Sequence, residues 1–206
     1  MKNLVLILVL GVALCEKKGS EKKEWIDEKK FGRSQDAWQG IKRYLNSTYY
    51  LVNATYNTDL VWGQNFSCVF IKGTNVSKDN ESIQATITHK NASSGRLENS
   101  SETLTAVTMY SYKKKNAVKY EALGKTNQTF EDALVFSAEN ACNIFYVPKI
   151  VGSSGNGVGG YELWVTEEHV NYVPACCYFS FKYLTMGMPM YAIWDRSCDR
   201  GGRSTV

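Results

Sequence analysis

The amino-acid sequence predicts an all-β domain in which eight antiparallel strands close into a barrel, with a short helix before them and another helix after them. After residue 47, eight short segments rich in β-branched and aromatic residues follow one another, and turns rich in Gly, Asn, Ser or Lys separate most of them. Several segments also alternate: Ile83, Ala85, Ile87 and His89 share one face of residues 82–90. Eight strands can close a barrel with room for one small ligand.

Residues 1–15 are typical of a secretion signal peptide. Lys2 provides the basic start, an apolar run follows, and Ala13 and Cys15 are the small residues before the cleavage point. The apolar run is far shorter than the roughly 20 residues of a membrane-spanning helix, which disfavours a membrane anchor. We therefore predict a secreted, extracellular protein.

Residues 16–33 are rich in charge, and we expect a flexible or weakly helical leader there. The barrel domain is predicted to span residues 34–206. It begins with a short helix, because Ser34 or Asp36 can cap its N-terminus and apolar residues follow at helical spacing.

The eight predicted strands are followed by a helix that begins at Pro174 and ends near Gly187, and then by a short strand over residues 190–195. The strands themselves are expected at residues 48–56, 66–73, 82–90, 102–112, 117–123, 130–137, 142–148 and 161–165.

Five cysteines remain after the signal peptide is removed, and the simplest count is two disulfides and one spare thiol. The adjacent Cys176 and Cys177 very rarely bond each other, but several other pairings remain open. A metal site is disfavoured, because no CxxC pair occurs and the two histidines are isolated.

Eight N-glycosylation sequons are present, about four times the number expected by chance for this composition. Because glycosylation needs exposure, these asparagines should mark turns and outward faces. They are Asn46, Asn53, Asn65, Asn75, Asn80, Asn91, Asn99 and Asn127.

The composition and motifs disfavour several functions. The net charge of +4 is close to balance, and the Lys113–Lys115 run is typical of a solvated loop, so we expect no nucleic-acid partner. Residues 155–160, GNGVGG, match a dinucleotide-binding pattern, but a strand follows them where that chemistry needs a helix, so we predict a hairpin loop. There is no GxSxG, HExxH or P-loop, and disulfides explain most of the cysteines, so we predict neither an enzyme nor a cofactor.

One stretch, YYLVNATYNTDLVWGQNFSC, gathers aromatic residues around a single acid, Asp59. A primary amine is cationic at neutral pH, and removing it from water is costly unless a carboxylate meets it. Aromatic faces add cation–π contact. The stretch therefore has the side chains that an amine pocket requires, although Asp59 alone would also suit a turn.

Seven segments resemble those of the tick salivary histamine-binding lipocalins: DAWQGIK, TYYLVNATYNTDLVWGQNFSC, SIQA, LTAVTMYSY, CNIFYVP, YELWV and VPACC. The similarity runs from about Trp25 to Cys198. It implies a lipocalin-type barrel with the C-terminal helix packed outside, and a protein that sequesters host amines and so suppresses inflammation. It also implies disulfides between Cys68 and Cys198 and between Cys142 and Cys177, with Cys176 as the spare thiol.

The resemblance implies a tight amine site in which Asp59 and Glu102 hold the polar ends of the ligand and Trp62 and Phe130 sandwich its ring. Tyr56 and Tyr120 complete this site. Taken alone, each aromatic residue would be an ordinary core residue, and Glu102 a solvated acid at the start of a strand.

A second family site carries over poorly. Glu162 and Trp164 match it, but Tyr44 and Asn143 stand where the resemblance implies aspartates, and Gly40 stands where it implies a serine. We therefore predict one amine site, with the second pocket lost or altered to accept a larger or less charged guest.

The sequence thus predicts a secreted, monomeric lipocalin that binds histamine, with serotonin as an alternative guest. We also expect Asp59 and Glu102 to face each other, which would raise at least one carboxyl pKa and make binding release protons. Two other functions stay open: a barrel that holds a lipid mediator such as a leukotriene or fatty acid, and a scaffold whose outer surface binds a host protein.

Overall fold

A computed structural model describes residues 23–121, 128–151 and 159–198. Its helices are α1 (Glu28–Phe31), α2 (Ala37–Lys42) and α3 (Ala175–Leu184), and short 3-10 turns lie at Glu24–Ile26, Gly32–Ser34, Arg43–Leu45 and Glu167–His169. The strands are β1 (Tyr49–Ala54), β2 (Thr58–Asp59), β3 (Gly63–Gln64), β4 (Ser67–Ser77), β5 (Ser82–Lys90), β6 (Leu97–Val107), β7 (Ala117–Glu121), β8 (Thr129–Ala138), β9 (Cys142–Val147), β10 (Gly160–Thr166) and β11 (Tyr191–Ala192).

The eight predicted strands form a closed antiparallel barrel. β1 pairs with β4, each strand from β4 to β10 pairs with the next, and β10 returns to pair with β1. The predicted final strand also forms, as β11, and pairs with the end of β1. The fold class is therefore confirmed. We call the end of the barrel interior next to α2 the floor and the opposite end the mouth.

The inward faces follow the predicted alternation. Ile83, Ala85, Ile87 and His89 on β5 are all buried. Two strands differ most from the expected bounds. The strand expected over 102–112 begins earlier, at Leu97, and ends at Val107, and the strand expected over 66–73 continues to Ser77. Residues after Val107 leave the sheet because the Asn116 side chain accepts a hydrogen bond from the Met109 N–H at 2.8 Å, which closes a turn.

The short helix α2 places apolar side chains in one end of the barrel. Asp36 is the residue that caps it, since Asp36 Oδ1 accepts the Gln39 N–H at 3.0 Å. Ile41 and Tyr44 belong to the interior core. The turn after α2 lies directly on β4, where a Cβ at Gly73 would come within 2.9 Å of the Leu45 nitrogen.

A second apolar layer covers the outer faces of β8, β9 and β10. α3 packs there as predicted, with Cys177 and Phe181 fully buried. A disulfide joins Cys177 to Cys142 on β9, while Cys176 is free and exposed. The second disulfide joins Cys68 to Cys198, so both bridges are the pairs that the resemblance implied.

Part of the charged leader also packs on this outer layer. Its residues from 23 onward form helical turns, and the Trp25 side chain is buried, with Nε1 donating to the Tyr161 hydroxyl at 3.1 Å. The proposed signal peptide at 1–15 and the start of the leader lie outside the described residues. Within the described parts of the chain, no helix is long and apolar enough to cross a membrane.

The sequons lie mainly at exposed positions. Asn53 and Asn91 are half-buried, and Asn127 lies outside the described residues. The others, which are exposed, are Asn46, Asn65, Asn75, Asn80 and Asn99.

Candidate ligand-binding site

The barrel encloses a cavity whose wall combines carboxylates with aromatic rings. Seven of the eight predicted ligand contacts line it: Tyr56, Asp59, Trp62, Glu102, Tyr120, Glu162 and Trp164. Asp132 lines it as well and was not predicted. Phe130 is not on this wall; it stacks behind Tyr120, with ring centroids 5.4 Å apart.

A small hairpin brings Asp59 and Trp62 to the mouth. β2 and β3 pair with each other inside the segment that follows β1, at the end of the barrel opposite α2. Asp59 Oδ1 accepts backbone N–H groups from Val61 at 2.6 Å and Trp62 at 3.0 Å. Gly63 has a φ of +82°, which suits glycine and completes the turn. Asp59 is therefore both a turn residue and a wall residue.

Glu162 on β10 is held by two neutral donors. Its Oε1 accepts the Tyr56 hydroxyl in a short hydrogen bond, and its Oε2 accepts Trp164 Nε1 at 2.8 Å. The side chain is 5% exposed. Burial raises the pKa of Glu162 to about 7, although these two hydrogen bonds oppose the shift and the charge of Asp59 adds to it.

Asp132 forms a second buried pair on β8, which flanks β9 on the side away from β10. It lies on β8 between the inward-facing Phe130 and Leu134, and the Tyr120 hydroxyl hydrogen-bonds to it. Burial raises its pKa well above the ordinary value, and the charge of Glu162 raises it further. Raised carboxyl pKa values are thus found at Asp132 and Glu162, of which Asp132 was not among the predicted site residues.

Glu102 lies in the middle of β6 and not at its start, which corrects the alternative of a solvated acid. It is 3% exposed. Its Oε1 accepts the Ser100 hydroxyl at 3.0 Å. Together with Asp59, Asp132 and Glu162 it gives the cavity four carboxyl groups, and no Lys, Arg or His lies in the described part of the wall.

The floor of the cavity contains the residues of the altered second site. Tyr44 lines it, 3% exposed, with its ring edge-on to Tyr49 at 4.8 Å. Asn143 Nδ2 donates to the Tyr44 hydroxyl at 3.4 Å, and a Cβ at Gly40 would lie 3.9 Å from the Asn143 amide. The three substituted positions are therefore neighbours in space, with Asn143 in contact with both of the others.

Asp132 had a signal in the sequence. In FEDALVFS, positions 130, 132 and 134 share one face of a strand, so a carboxylate stands between two apolar neighbours. An acid in the apolar face of a strand is rarely there for packing. The sequence has no comparable signal for the position of Phe130 along the barrel axis, because alternation predicts which face of the strand a residue lies on but not where along the barrel it lies.

Comparison with known proteins shows which family the chain resembles. The family model "Tick histamine binding protein" matches residues 25–200. A male-specific histamine-binding salivary protein of Rhipicephalus appendiculatus is 41% identical over 179 residues, which cover 87% of this chain and 86% of the relative. The female-specific histamine-binding protein 1 of the same organism is 33% identical over 196 residues, with 95% and 98% of the two chains covered.

Solved structures show the same fold. The AM182 serotonin complex has a TM-score of 0.58 at 19% identity and covers 82% of this chain and 95% of its own. Apocrustacyanin C2 has a TM-score of 0.55 at 11% identity and covers 88% and 93%. These likenesses support a lipocalin-type barrel, and the family match goes further: the chain belongs to the tick histamine-binding protein family.

Proposed function

We propose that the protein captures a small cationic amine inside its barrel, with histamine as the first candidate. The observation that carries this is the cavity wall, which combines four carboxyl groups with six aromatic rings and has no basic side chain among its described residues. A buried ammonium needs a carboxylate to offset its desolvation, and rings add cation–π contact. The histamine-binding names of the relatives agree with this chemistry.

The amine is held by charge and its ring by aromatic faces. Asp59 enters from the mouth and Glu102 from the wall, so both can meet the polar ends of one ligand. Tyr120 lines the cavity and offers a ring face, and Trp62 lines the cavity at the mouth. Phe130 supports Tyr120 from behind, which favours Tyr120 as the ring that meets the ligand on that side.

The capture is stoichiometric and nothing turns over. A host-directed role follows if the protein is secreted, and three features support secretion: the signal-like N-terminus, the two disulfides and the eight sequons. The relative named as a salivary protein agrees with this. Removing free histamine at a bite would then suppress inflammation.

One ligand per barrel is expected. Tyr44 fills the floor, and the neutral Asn143 beside it supplies no charge for a second ammonium. Serotonin is the second candidate ligand. Its amine carries the same charge as that of histamine, and its larger ring suits a pocket altered to accept a larger guest.

A lipid mediator suits this wall less well. The carboxylate of a fatty acid or leukotriene would face four acidic groups, and no basic side chain lies in the described wall to bind it. A host protein bound to the outer surface stays an alternative, and capture from serum by the histamine-free protein would favour it.

Isothermal titration with histamine tests the proposal, using wild type, Glu102→Gln and the matched control Glu131→Gln. Glu131 is exposed on β8, while Glu102 is buried in the wall. We expect one histamine per chain, at least tenfold weaker binding for Glu102→Gln, and wild-type binding for Glu131→Gln. Equal affinity in all three proteins, or no binding to wild type, would overturn the proposal.

A further inference from the structure

Trp62 carries an N–H group that the protein leaves unused. The residue lies in the hairpin at the mouth and lines the cavity. Its Nε1 is buried and has no hydrogen-bond partner among the described residues. The ring is fixed by edge-on contacts with Phe66 at 5.1 Å and Trp164 at 6.4 Å between centroids.

Three other donors of the wall are committed to carboxylates. Trp164 Nε1 and the Tyr56 hydroxyl both donate to Glu162, and the Tyr120 hydroxyl hydrogen-bonds to Asp132. Trp62 differs from these three because its N–H has no acidic or backbone acceptor in the described structure. The cavity therefore has carboxylates for a cation and, separately, an indole N–H donor at its mouth that no carboxylate accepts.

A buried N–H that stays unpaired is unfavourable. In the ligand-free protein, water that enters the cavity can accept this hydrogen bond. A ligand that expels the water must bring an acceptor of its own, or the indole N–H is left unpaired. Sites of this kind reject analogues that lack the required group.

We propose that the Trp62 indole N–H donates to a hydrogen-bond acceptor on the ligand's ring, so that Trp62 selects amines whose ring carries such an acceptor. This inference rests on the amine-binding function proposed above. It adds a second requirement to that function, because an ammonium alone does not satisfy the site.

The requirement separates amines of similar size. A neutral imidazole has a pyridine-type nitrogen that accepts, so histamine satisfies Trp62 when its ring is unprotonated. The hydroxyl of a hydroxyindole amine also accepts. Phenethylamine and tryptamine carry the ammonium and an aromatic ring but no comparable acceptor. The ring of bound histamine is therefore neutral, while its side-chain amine is charged.

An isosteric pair of ligands tests the inference on the intact protein. 2-(Pyridin-2-yl)ethylamine and phenethylamine differ by one ring atom, a nitrogen in place of C–H. Wild type should prefer the pyridyl amine by about tenfold. Trp62→Phe, which keeps a ring but loses the N–H, should bind both amines with similar affinity.

Trp164→Phe is the matched control. Its lost N–H served Glu162, so it should weaken both amines alike and keep the pyridyl preference. If wild type shows no pyridyl preference, or Trp62→Phe retains it, the inference is wrong although amine binding stands. If wild type binds neither these amines nor histamine, the proposed function fails and the inference fails with it. Phenethylamine binding by Trp62→Phe verifies that this variant is folded.

Discussion

Glu162 shows how a single residue can make the empty site different from the occupied one. Both of its carboxyl oxygens already accept hydrogen bonds, from Tyr56 and Trp164, yet burial keeps its pKa near 7. Near neutral pH the Glu162 carboxyl group is therefore about half protonated and half ionised. A cation placed beside it favours the ionised form.

Histamine binding should therefore release protons from the protein. Below pH 7 a proton must leave Glu162 before its negative charge can stabilise a cation in the cavity, so the affinity should fall as the pH falls through 7. Titration calorimetry at pH 7 in buffers of different ionisation enthalpy should show release of up to about half a proton from Glu162 per ligand, because a group with a pKa of about 7 is half protonated there.

Glu162→Gln is the comparison for that experiment. The variant cannot titrate at this position, so its affinity should vary less between pH 6 and 8 than that of wild type. The titration of the histamine ring is common to both proteins and cancels in the comparison. Identical pH profiles, together with heats independent of the buffer, would contradict the role of Glu162.

Residue-level features were only partly predictable. Seven wall residues were predicted from the family resemblance and from the fact that a buried cation requires carboxylates and aromatic rings around it. Asp132 was missed although its alternation placed it on an inward face. The position of Phe130 behind Tyr120 depends on strand stagger and on a cross-strand pair, which a single sequence does not fix.

At the scale of elements, the hairpin of β2 and β3 is the part that alternation could not predict. Each of its strands has two residues, too few to show a period. It nevertheless positions Asp59 and Trp62, because the Asp59 side chain closes the turn that carries Trp62. Turn structure and ligand contact thus depend on the same carboxylate.

Two substitutions of Asp59 separate these roles. Asp59→Asn keeps an oxygen that can accept the Val61 and Trp62 N–H groups but loses the charge, so histamine affinity should fall while Trp62 keeps its environment. Asp59→Gly loses both the oxygen and the charge, so the fluorescence of Trp62 should also change. The Trp62 contribution is obtained as the difference between each protein and the same protein carrying Trp62→Phe. Equal fluorescence and equal affinity in the two Asp59 variants would show that the turn does not depend on this side chain.

At the scale of the whole molecule, the outer layer stabilises the barrel, while the interior of the barrel binds the ligand. The outer layer of α3, Trp25 and the Cys142–Cys177 disulfide covers β8 to β10 from outside. The Cys68–Cys198 disulfide joins β4 to the C-terminal segment. The interior is then free to hold acids that favour binding over stability. The eight strands were predictable because half-buried strands alternate, whereas the packing of the leader through Trp25 was not, since charge dominates that segment.

The most direct test of the central claim compares histamine with its alcohol analogue, in which a hydroxyl replaces the ammonium. Ring, length and hydrogen-bonding capacity are nearly unchanged, so the two ligands differ mainly in charge. If the buried carboxylates capture a cation, titration calorimetry at neutral pH should give at least about 30-fold weaker binding for the alcohol. Affinities within a few-fold of each other would contradict the account.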